Sequence, residues 1–510
     1  MKNILFILPI ILAMVSCKKP IPADLSSVSL IPLPVEVNAT GSSFEIDEST
    51  IIYVDEKSKE LTNVAQILID NTKLLTGVQL TVKTVNTLPK DGIILKLNHS
   101  DNTKGNEGYQ LNVSEKSIQI SANKPAGVFM GIQTLLQSYS QAGIEKKSWI
   151  VASGTINDYP QYTYRGAMLD VSRHFFGVKT VKRFIDQMAF FKLNTLHLHL
   201  SDDQGWRIEI KSWPKLTTIG GSKQVGGGKG GYFTQDDYKE IINYAKERFI
   251  TVIPEIDMPG HTNAAYVAYP ELNGTGKKAD FYTGTDVGFS TFDTRNENTY
   301  KFIDDVIREL ASITEGEYIH IGGDESHVTK KDDYIYFINR VRKIVKKYNK
   351  KMIGWDEVAH ADIEEGDVVQ YWAKGENAIL GKQKSAKILM SPAKVAYLDM
   401  QYDSTTHIGL HWMGYIEVDK AYNWDPATLE EGISKEDILG VESPLWTETV
   451  VTEDDIDYLI FPRLIGHAEI GWTPAEKRNW DDYKVRLANK EYLLNTLGIK
   501  FYRSSLIPWK

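Results

Sequence analysis

A single cysteine, Cys17, occurs in 510 residues, so no intrachain disulfide can form. Positive charge is also short. Against 67 Asp and Glu stand 58 Lys and Arg, a net charge of -9, which leaves no basic excess to neutralise phosphates and argues against a nucleic-acid binder. The one local basic cluster, Lys343, Lys346, Lys347, Lys350 and Lys351, falls at the end of an expected helix, where cations suit the dipole, and reads as a solvated face. No apolar run reaches membrane-spanning length. Hydrophobic residues at 42% and charged residues at 25% are ordinary for a soluble globular chain. Aromatics are the generous supply: 11 Trp and 26 Tyr, rings that serve cores everywhere and sugar-binding clefts as flat apolar platforms.

The first residues read as a secretory signal. Lys2 is a short basic start, Ile4 to Val15 is apolar but too short to span a bilayer, and Ser16 is a small residue at a cleavage position. Met14-Val15-Ser16-Cys17 resembles a bacterial lipobox, with Met14 where leucine is usual. It implies a lipoprotein signal over 1–17, with Cys17 lipidated, and an exported protein, periplasmic or attached to the outer membrane. A plain signal peptide with an incidental cysteine is the bland alternative. Residues 18–27 are polar and proline-containing and read as a tether.

From 28 to 157 the pattern is mixed. Ile51 to Val54 and Ile93 to Leu97 read as strands. Leu61, Ala65, Leu68 and Ile69 repeat at helical spacing. Tyr109, Leu111 and Val113 alternate, as do Ile118 and Ile120, which predicts a hairpin, and Pro125 opens a helix lined by Val128, Phe129, Ile132, Leu135 and Leu136. This is a small α+β domain without a catalytic constellation. Asn157-Asp158-Tyr159-Pro160 reads as the turn that ends it. After Pro160 short apolar strands alternate with helical patterns. Strands are expected at Tyr164 to Leu169, Thr195 to Leu200, Phe249 to Ile256, Tyr318 to Ile321, Met352 to Gly354, Asp367 to Tyr371 and Ala386 to Met390, with an eighth beginning at Gly440 to Glu442. Eight strand-then-helix units in about three hundred residues predict an α/β fold, a (β/α)8 TIM-type barrel over 158–510. A doubly wound open sheet would not need eight consecutive units.

Active sites in such barrels lie at the C-terminal strand ends. Asp324-Glu325 follows the fourth strand through two glycines. Adjacent carboxylates repel, so one is easier to keep protonated near neutral pH, and a protonated acid beside an ionised one suits glycosidic cleavage. Taken alone, Asp324 reads equally well as a helix cap. The other strand ends carry Asp170 with Arg173-His174; Ser201 to Trp206; Pro254 to His261; Trp355-Asp356-Glu357; Tyr371-Trp372; Tyr397-Leu398-Asp399; and Trp446-Thr447-Glu448. Acids and tryptophans recurring at strand ends favour a site over scattered burial.

At these residues the sequence resembles the β-N-acetylhexosaminidases of glycoside hydrolase family 20. Arg173-His174-Phe175, His197 to Trp206, Pro254 to His261, His320 to Glu325, Trp355, Trp372, Tyr397 with Asp399, and Trp446-Thr447-Glu448 carry the resemblance, which covers nearly everything from Tyr159 to Trp472. It implies an exo-acting, retaining enzyme that removes terminal N-acetylglucosamine or N-acetylgalactosamine from oligosaccharides or glycoconjugates, without cofactor or metal, by substrate-assisted catalysis through an oxazolinium intermediate. The implied catalytic residues are Glu325 as acid and base, Asp324 as acceptor of the acetamido N–H, and Tyr397 as donor to the acetamido oxygen. Arg173, Asp399 and Glu448 would hold ring hydroxyls, and Trp355, Trp372 and Trp446 would wall the pocket. Trp412 matches a loop residue on the aglycone side, and Asp202 with His261 would tune Glu325.

Each has a bland reading: Arg173 neutralising nearby acids, Asp202 or Asp203 as a cap, His261 a satisfied loop histidine, the tryptophans barrel core. Asp257, Asp356 and Glu357 read as structural. Gly226 to Gly231 lacks the ending of a phosphate loop and reads as a flexible surface loop. Two other functions stay open. His197-x-His199 puts two imidazoles on one strand face, a plausible ligand pair for a metal-dependent barrel hydrolase, with core packing the alternative. A catalytically silent sugar-binding lipoprotein would bind without turnover. Chelators would test the first, and a Glu325→Gln variant the second.

Overall fold

The computed structural model describes residues 21–99, 104–142, 148–277 and 279–510. Cys17 and the apolar run before it lie outside the described residues, and with them the lipidation expectation.

The N-terminal layer is a mixed sheet. Its long edge pair, Glu36–Ile46 and Ser148–Asp158, is antiparallel, and Tyr109–Val113 joins Ser148–Asp158 from the other side. The sheet continues through Ser117–Ala122, Gly92–Leu97, Ile51–Asp55 and Thr81–Val85. The expected hairpin is present, with Leu111 opposite Ile120. Tyr109, Leu111 and Val113 are buried and the residues between them are half-exposed, as a one-sided strand requires. Two helices cover the apolar face, Leu61–Thr76 and Pro125–Gln137, the second with proline in its first turn.

Eight parallel strands then close a barrel: β1 (Tyr164–Asp170), β2 (Thr195–His199), β3 (Thr251–Glu255), β4 (Tyr318–His320), β5 (Lys351–Trp355), β6 (Val368–Tyr371), β7 (Lys387–Met390) and β8 (Ile438–Leu445). Each pairs with its neighbours in sequence, and β8 returns to β1. Every expected barrel strand is found, with ends moved by a residue or two. The helix at Gln235–Lys246 opens with a reciprocal Thr234–Asp237 capping box.

Alternation along the strands divides two environments. Leu196 and Leu198 of β2 join the large apolar core shared with the outer helices. Tyr164, Ile253, Ile353, Val368 and Leu389 form a separate apolar cluster, an interior layer low in the barrel. Above it, His197, Glu255, His320, Gln370 and Glu442 make a polar layer, every one fully buried or within 1% of it.

Three expectations are corrected. Residues 24–27 are not a free tether: Leu25–Ser27 is a helical turn capped by Asp24, and Leu25 is buried. Asn157 and Asp158 do not turn but complete the last long strand, and Asp158 is fully buried. The glycine run is not loose either. The carbonyls of Gly231 and Lys223 accept from the buried Arg207 guanidinium at 3.1 and 2.8 Å, and a side chain at Gly231 would meet the Phe175 ring at 2.2 Å. The lysine cluster is largely exposed, as a solvated face should be, and its ammonium groups are engaged besides. The Lys350 ammonium donates to the carbonyls of Thr314 and Gly316 at 2.6 Å, and Lys346 pairs with Glu364 at 2.5 Å.

Candidate active site

Side chains that are distant in sequence converge where the strands end. A cavity of about 220 Å³ is lined by Arg173, Asp324, Glu325, Trp372, Tyr397, Asp399, Trp412, Trp446 and Glu448, together with Thr285, Val287 and Leu410. Nine of the residues singled out in the sequence therefore share one wall. Trp355, Asp202 and His261 lie behind it. Trp355 is fully buried, packs with Tyr397 and Trp446 in one apolar cluster, and sits 5.7 Å from the Trp446 ring. Trp372 stacks on Tyr397 at 6.4 Å, and Trp412, half-exposed, meets both edge-on. The aromatic reading as barrel core alone is thus too narrow, because three of these rings face the cavity.

The Asp324-Glu325 pair does not cap a helix. The next helix, Lys331–Lys347, starts six residues further on, with Lys330 at its cap. Instead, Gly322 and Gly323, at φ +67° and +105°, swing the chain so that one carboxylate faces inward and the next outward. Glu325 itself has φ +45° and His261 has φ +54°, a left-handed backbone that non-glycine residues adopt at a cost and that clusters at functional sites.

A chain of alternating acids and bases runs from the barrel interior to Glu325. Glu255 on β3 accepts from His199 and from the Trp355 indole at 2.9 Å, and lies 3.0 Å from both His197 and His320. His199 reaches Asp202 at 2.8 Å, Asp202 meets His261 at 3.1 Å, and His261 lies 3.6 Å from Glu325 and 3.7 Å from Asp324. Arg173 closes on Asp202 at 2.8 Å and lies over the Trp446 ring at 4.8 Å. Asp170 ties β1 to the loop after β8: it accepts from the Ser172, Arg173 and Thr447 amides at 2.7, 3.1 and 3.0 Å.

Burial sets the charges. For Asp202 burial alone would raise the pKa, but Arg173 and His261 outweigh it and hold the carboxyl well below its usual range. Burial likewise works against charge on His261, yet Asp202 and Asp324 keep the imidazolium well above its ordinary value. Asp324 is pushed well up, by burial first and then by Asp257. Glu325, 27% exposed at its side chain, is lowered; burial opposes this, and His261 prevails. These shifts favour charge on Asp202, His261 and Glu325 and disfavour it on Asp324, so the two adjacent acids are driven apart as the sequence reading expects of a repelling pair.

The histidine pair of β2 is engaged with carboxylates. His197 lies between Glu255 and Glu442 at 3.0 and 2.9 Å, and those two acids, acting against burial, raise its pKa to about 9. His197, Glu255 and His320 do offer ligand atoms within 4.8 Å of one another, but the same atoms are paired with each other. His197 and His199 are fully buried and pack on His320, Trp355 and Trp446, as the core-packing reading expects, with carboxylates as their polar partners. They form a buried ionic lattice beneath the site.

Sequence reasoning missed Glu255 and Glu357. Glu255 stands at an inward position of β3, inside a quoted motif, and a charged residue at a barrel-interior position was the available signal. Glu357, read as structural, accepts the Trp372 indole N–H at 3.1 Å and so holds a cavity wall; burial and Asp356 raise it to about 8. Asp356 is structural as expected, accepting the amides of Trp372, Ala373 and Lys374. Thr285 and Val287 come from a loop with no sequence signal.

Comparison with known proteins gives one family. The model described as glycosyl hydrolase family 20, catalytic domain, matches residues 162–475, and that family's domain 2 matches 27–159. A beta-N-acetylhexosaminidase of Cellulomonas fimi is 39% identical over 486 residues, 94% of this chain and 97% of the relative. The structure of a GH20 beta-N-acetylhexosaminidase from Streptomyces coelicolor A3(2) superposes with a TM-score of 0.91 at 46% identity, covering 96% of this chain and all of that one. A mutant Streptomyces plicatus beta-hexosaminidase in complex with product (GlcNAc) gives 0.90 at 47%, covering 96% and 99%.

Proposed function

The chain belongs to glycosyl hydrolase family 20 and is a glycoside hydrolase with β-N-acetylhexosaminidase activity, and from that premise we propose an exo-acting, retaining, substrate-assisted mechanism. The supporting observation is the asymmetry of the two adjacent acids: Asp324 is inward, with its Oδ1 unmatched by any protein donor, and Glu325 stands at the mouth. The cavity has room for one acetamido sugar. With the methyl against Trp372 and Trp446, which Trp355 backs from behind, the acetamido N–H meets Asp324, and the Tyr397 hydroxyl donates to the carbonyl oxygen. That oxygen is thereby held toward the anomeric carbon and displaces the leaving group on the opposite face. Holding nucleophile and carbon in attack geometry supplies on the order of 7 kcal/mol in the best intramolecular cases. Asp324 as an anion stabilises the positive oxazolinium ring where charge develops.

Glu325 protonates the departing oxygen and then takes a proton from water, a contribution typically on the order of 10²–10⁴-fold. Its proton comes from His261, whose charge is held by Asp202, and the exchange across 3.6 Å leaves the pair's total charge unchanged. Arg173, Asp399 and Glu448, lining the far wall, receive the ring hydroxyls. Trp412 at the rim faces the aglycone.

The test is nitrophenol release from the β-N-acetylglucosaminide beside the matching β-glucoside. Turnover of the first alone supports the acetamido as nucleophile. Equal turnover of both would assign the nucleophile to a protein carboxylate, and turnover of neither would favour sugar binding without catalysis. Export with lipidation of Cys17 also belongs to this reading. It predicts that labelled fatty acid enters the protein and that Cys17→Ser abolishes incorporation.

A further inference from the structure

Asp257, which follows β3, stands behind Asp324. Its Oδ1 accepts the Gly323 amide at 3.0 Å. That approach needs Gly322, because a Cβ there would lie 1.8 Å from the same oxygen. The glycine pair therefore does two things: it turns the chain into the acid pair, and it admits a third carboxyl behind it. The other oxygen, Oδ2 of Asp257, is buried without a hydrogen-bond partner among the described residues, and so is Oδ1 of Asp324. An oxygen of each and a ring nitrogen of His261 lie within 4.8 Å of one another. Two buried carboxyl groups at this range, each with an oxygen left bare, carry a strong mutual repulsion unless one of them holds a proton.

We propose that Asp257 and Asp324 share one proton, and that Asp257 takes it when the acetamido N–H engages Asp324. The O–H bond on Asp324 breaks as the O–H bond on Asp257 Oδ2 forms, and no proton leaves the site. Asp257 is thus a positioning residue: it touches no substrate and keeps Asp324 anionic where the oxazolinium charge appears. This rests on the proposed function.

The surroundings are compatible with a single proton. Burial first, and Glu255 and Asp202 besides, push Asp257 up to about 7, while His261 and His199 restrain it. Toward Asp324 the charged neighbours are His261, Glu325 and Glu255. From the helix Lys331–Lys347, Tyr334 spends its hydroxyl on the Gly323 carbonyl at 2.6 Å, and Asp356 and Glu357 lie beyond it at the end of β5. Among the described residues no cation from these elements pairs with either bare oxygen; His261 faces the other oxygen of Asp324, Oδ2, at 3.7 Å.

The experiment titrates a Glu325→Gln protein, which removes turnover and the ionisation of Glu325, with N-acetylglucosamine, and follows tryptophan fluorescence from pH 5.5 to 9. Above the pair's ionisation, binding must recover one proton, so Kd rises with pH by up to tenfold per unit. In Glu325→Gln/Asp257→Asn the asparagine oxygen keeps the Gly323 bond and its N–H donates permanently to Asp324, so the rise disappears. An equal rise in both proteins, or a flat Kd in the first, overturns the inference. Should the double variant not fold, calorimetry on Glu325→Gln at pH 8, in buffers of different ionisation enthalpy, decides: uptake approaching one proton per sugar supports the shared proton, and no uptake overturns it. Absence of binding at every pH overturns the proposed function, and this inference with it.

Discussion

Two regions of this molecule bury charge, and they do it in opposite ways. Where the N-terminal sheet meets the barrel, the carboxylates of Asp158 and Glu469 are answered on both oxygens. Asp158 accepts from Tyr109 at 2.6 Å, from the Trp472 indole at 2.9 Å and from the Val35 amide at 3.0 Å, and pairs with the buried Lys192 at 3.0 Å. Glu469 accepts twice from Arg486 at 2.8 Å, from Tyr422 at 2.7 Å and from the Leu33 amide at 2.8 Å. At the cavity, by contrast, Asp324, Glu448 and both oxygens of Asp399, with Asp257 behind them, keep buried atoms without a well-formed bond among the described residues. Unmet polar atoms cost stability unless something else completes them. The satisfied cluster is a joint, and the unsatisfied one gathers at the cavity that the proposed function assigns to the sugar. Size does not make this distinction. A larger cavity, about 920 Å³, lies at the other end of the barrel beside Asn194, Thr195 and Thr251, and it gathers no comparable set of bare acids.

The largest effect that would break this division is expected at Glu325. Glu325→Gln should lower kcat/KM on a β-N-acetylglucosaminide with a poor leaving group by on the order of 10²–10⁴-fold. Its melting temperature should stay near that of the parent, since the carboxylate makes no joint. A variant that lost both activity and fold would erase the contrast. Next comes the joint itself. Asp158→Ala leaves Lys192 charged and buried at 1% exposure, and removing one partner of such a pair costs roughly 3–5 kcal/mol. Melting temperature should fall sharply, while the KM of the protein that remains folded should not move.

Asp399→Asn separates the two regions by pH. Burial, with Glu448 beside it, raises the Asp399 pKa well above the usual carboxylate value. The folded state therefore holds a proton that the unfolded state releases. The favourable contribution is complete below about pH 4 and is lost as pH rises toward the folded value. The asparagine variant should melt higher than the parent near pH 7 and alike at pH 4, with a raised KM because a hydroxyl acceptor is gone. Melting curves at the two pH values, read beside KM, check both. A lower melting temperature at pH 7 would place Asp399 with the joint.

How far the sequence shows this division depends on which residues carry it. All eight barrel strands are legible because their apolar runs are bounded by turns and followed by helical periodicity, and eight of the nine cavity residues because chemistry-bearing types recur after those strands, while Trp412 is legible only through the family resemblance. Asp158 is not legible. In Asn157-Asp158-Tyr159-Pro160 its neighbours are turn formers, and only the tertiary arrangement shows that it ends a strand under Lys192. Glu255 hides for the opposite reason, as a charge within an apolar strand whose partners come from β2, β4 and β5. The glycine run at Gly226 to Gly231 looks flexible by composition. It is packed because Arg207 seeks carbonyls and Phe175 fills the space side chains would need. Composition reports what a segment can do alone, and these segments are decided by what lies against them.

The smallest expected effect tests whether pairing or burial makes a joint. Lys346 and Glu364 are 2.5 Å apart, closer than Lys192 and Asp158 at 3.0 Å, but their side chains are 70% and 44% exposed. In water the attraction is weakened by solvent and salt, and holding two long side chains in one geometry costs entropy, so exposed pairs contribute about 0–1 kcal/mol. Lys346→Ala should therefore leave melting temperature nearly unchanged, and any small loss should shrink in 0.5 M salt. Asp158→Ala should show a large loss that salt leaves in place. If the two variants behaved alike, distance would rank ion pairs in this fold, and the contrast between joint and cavity would need restating in terms of contact instead of desolvation.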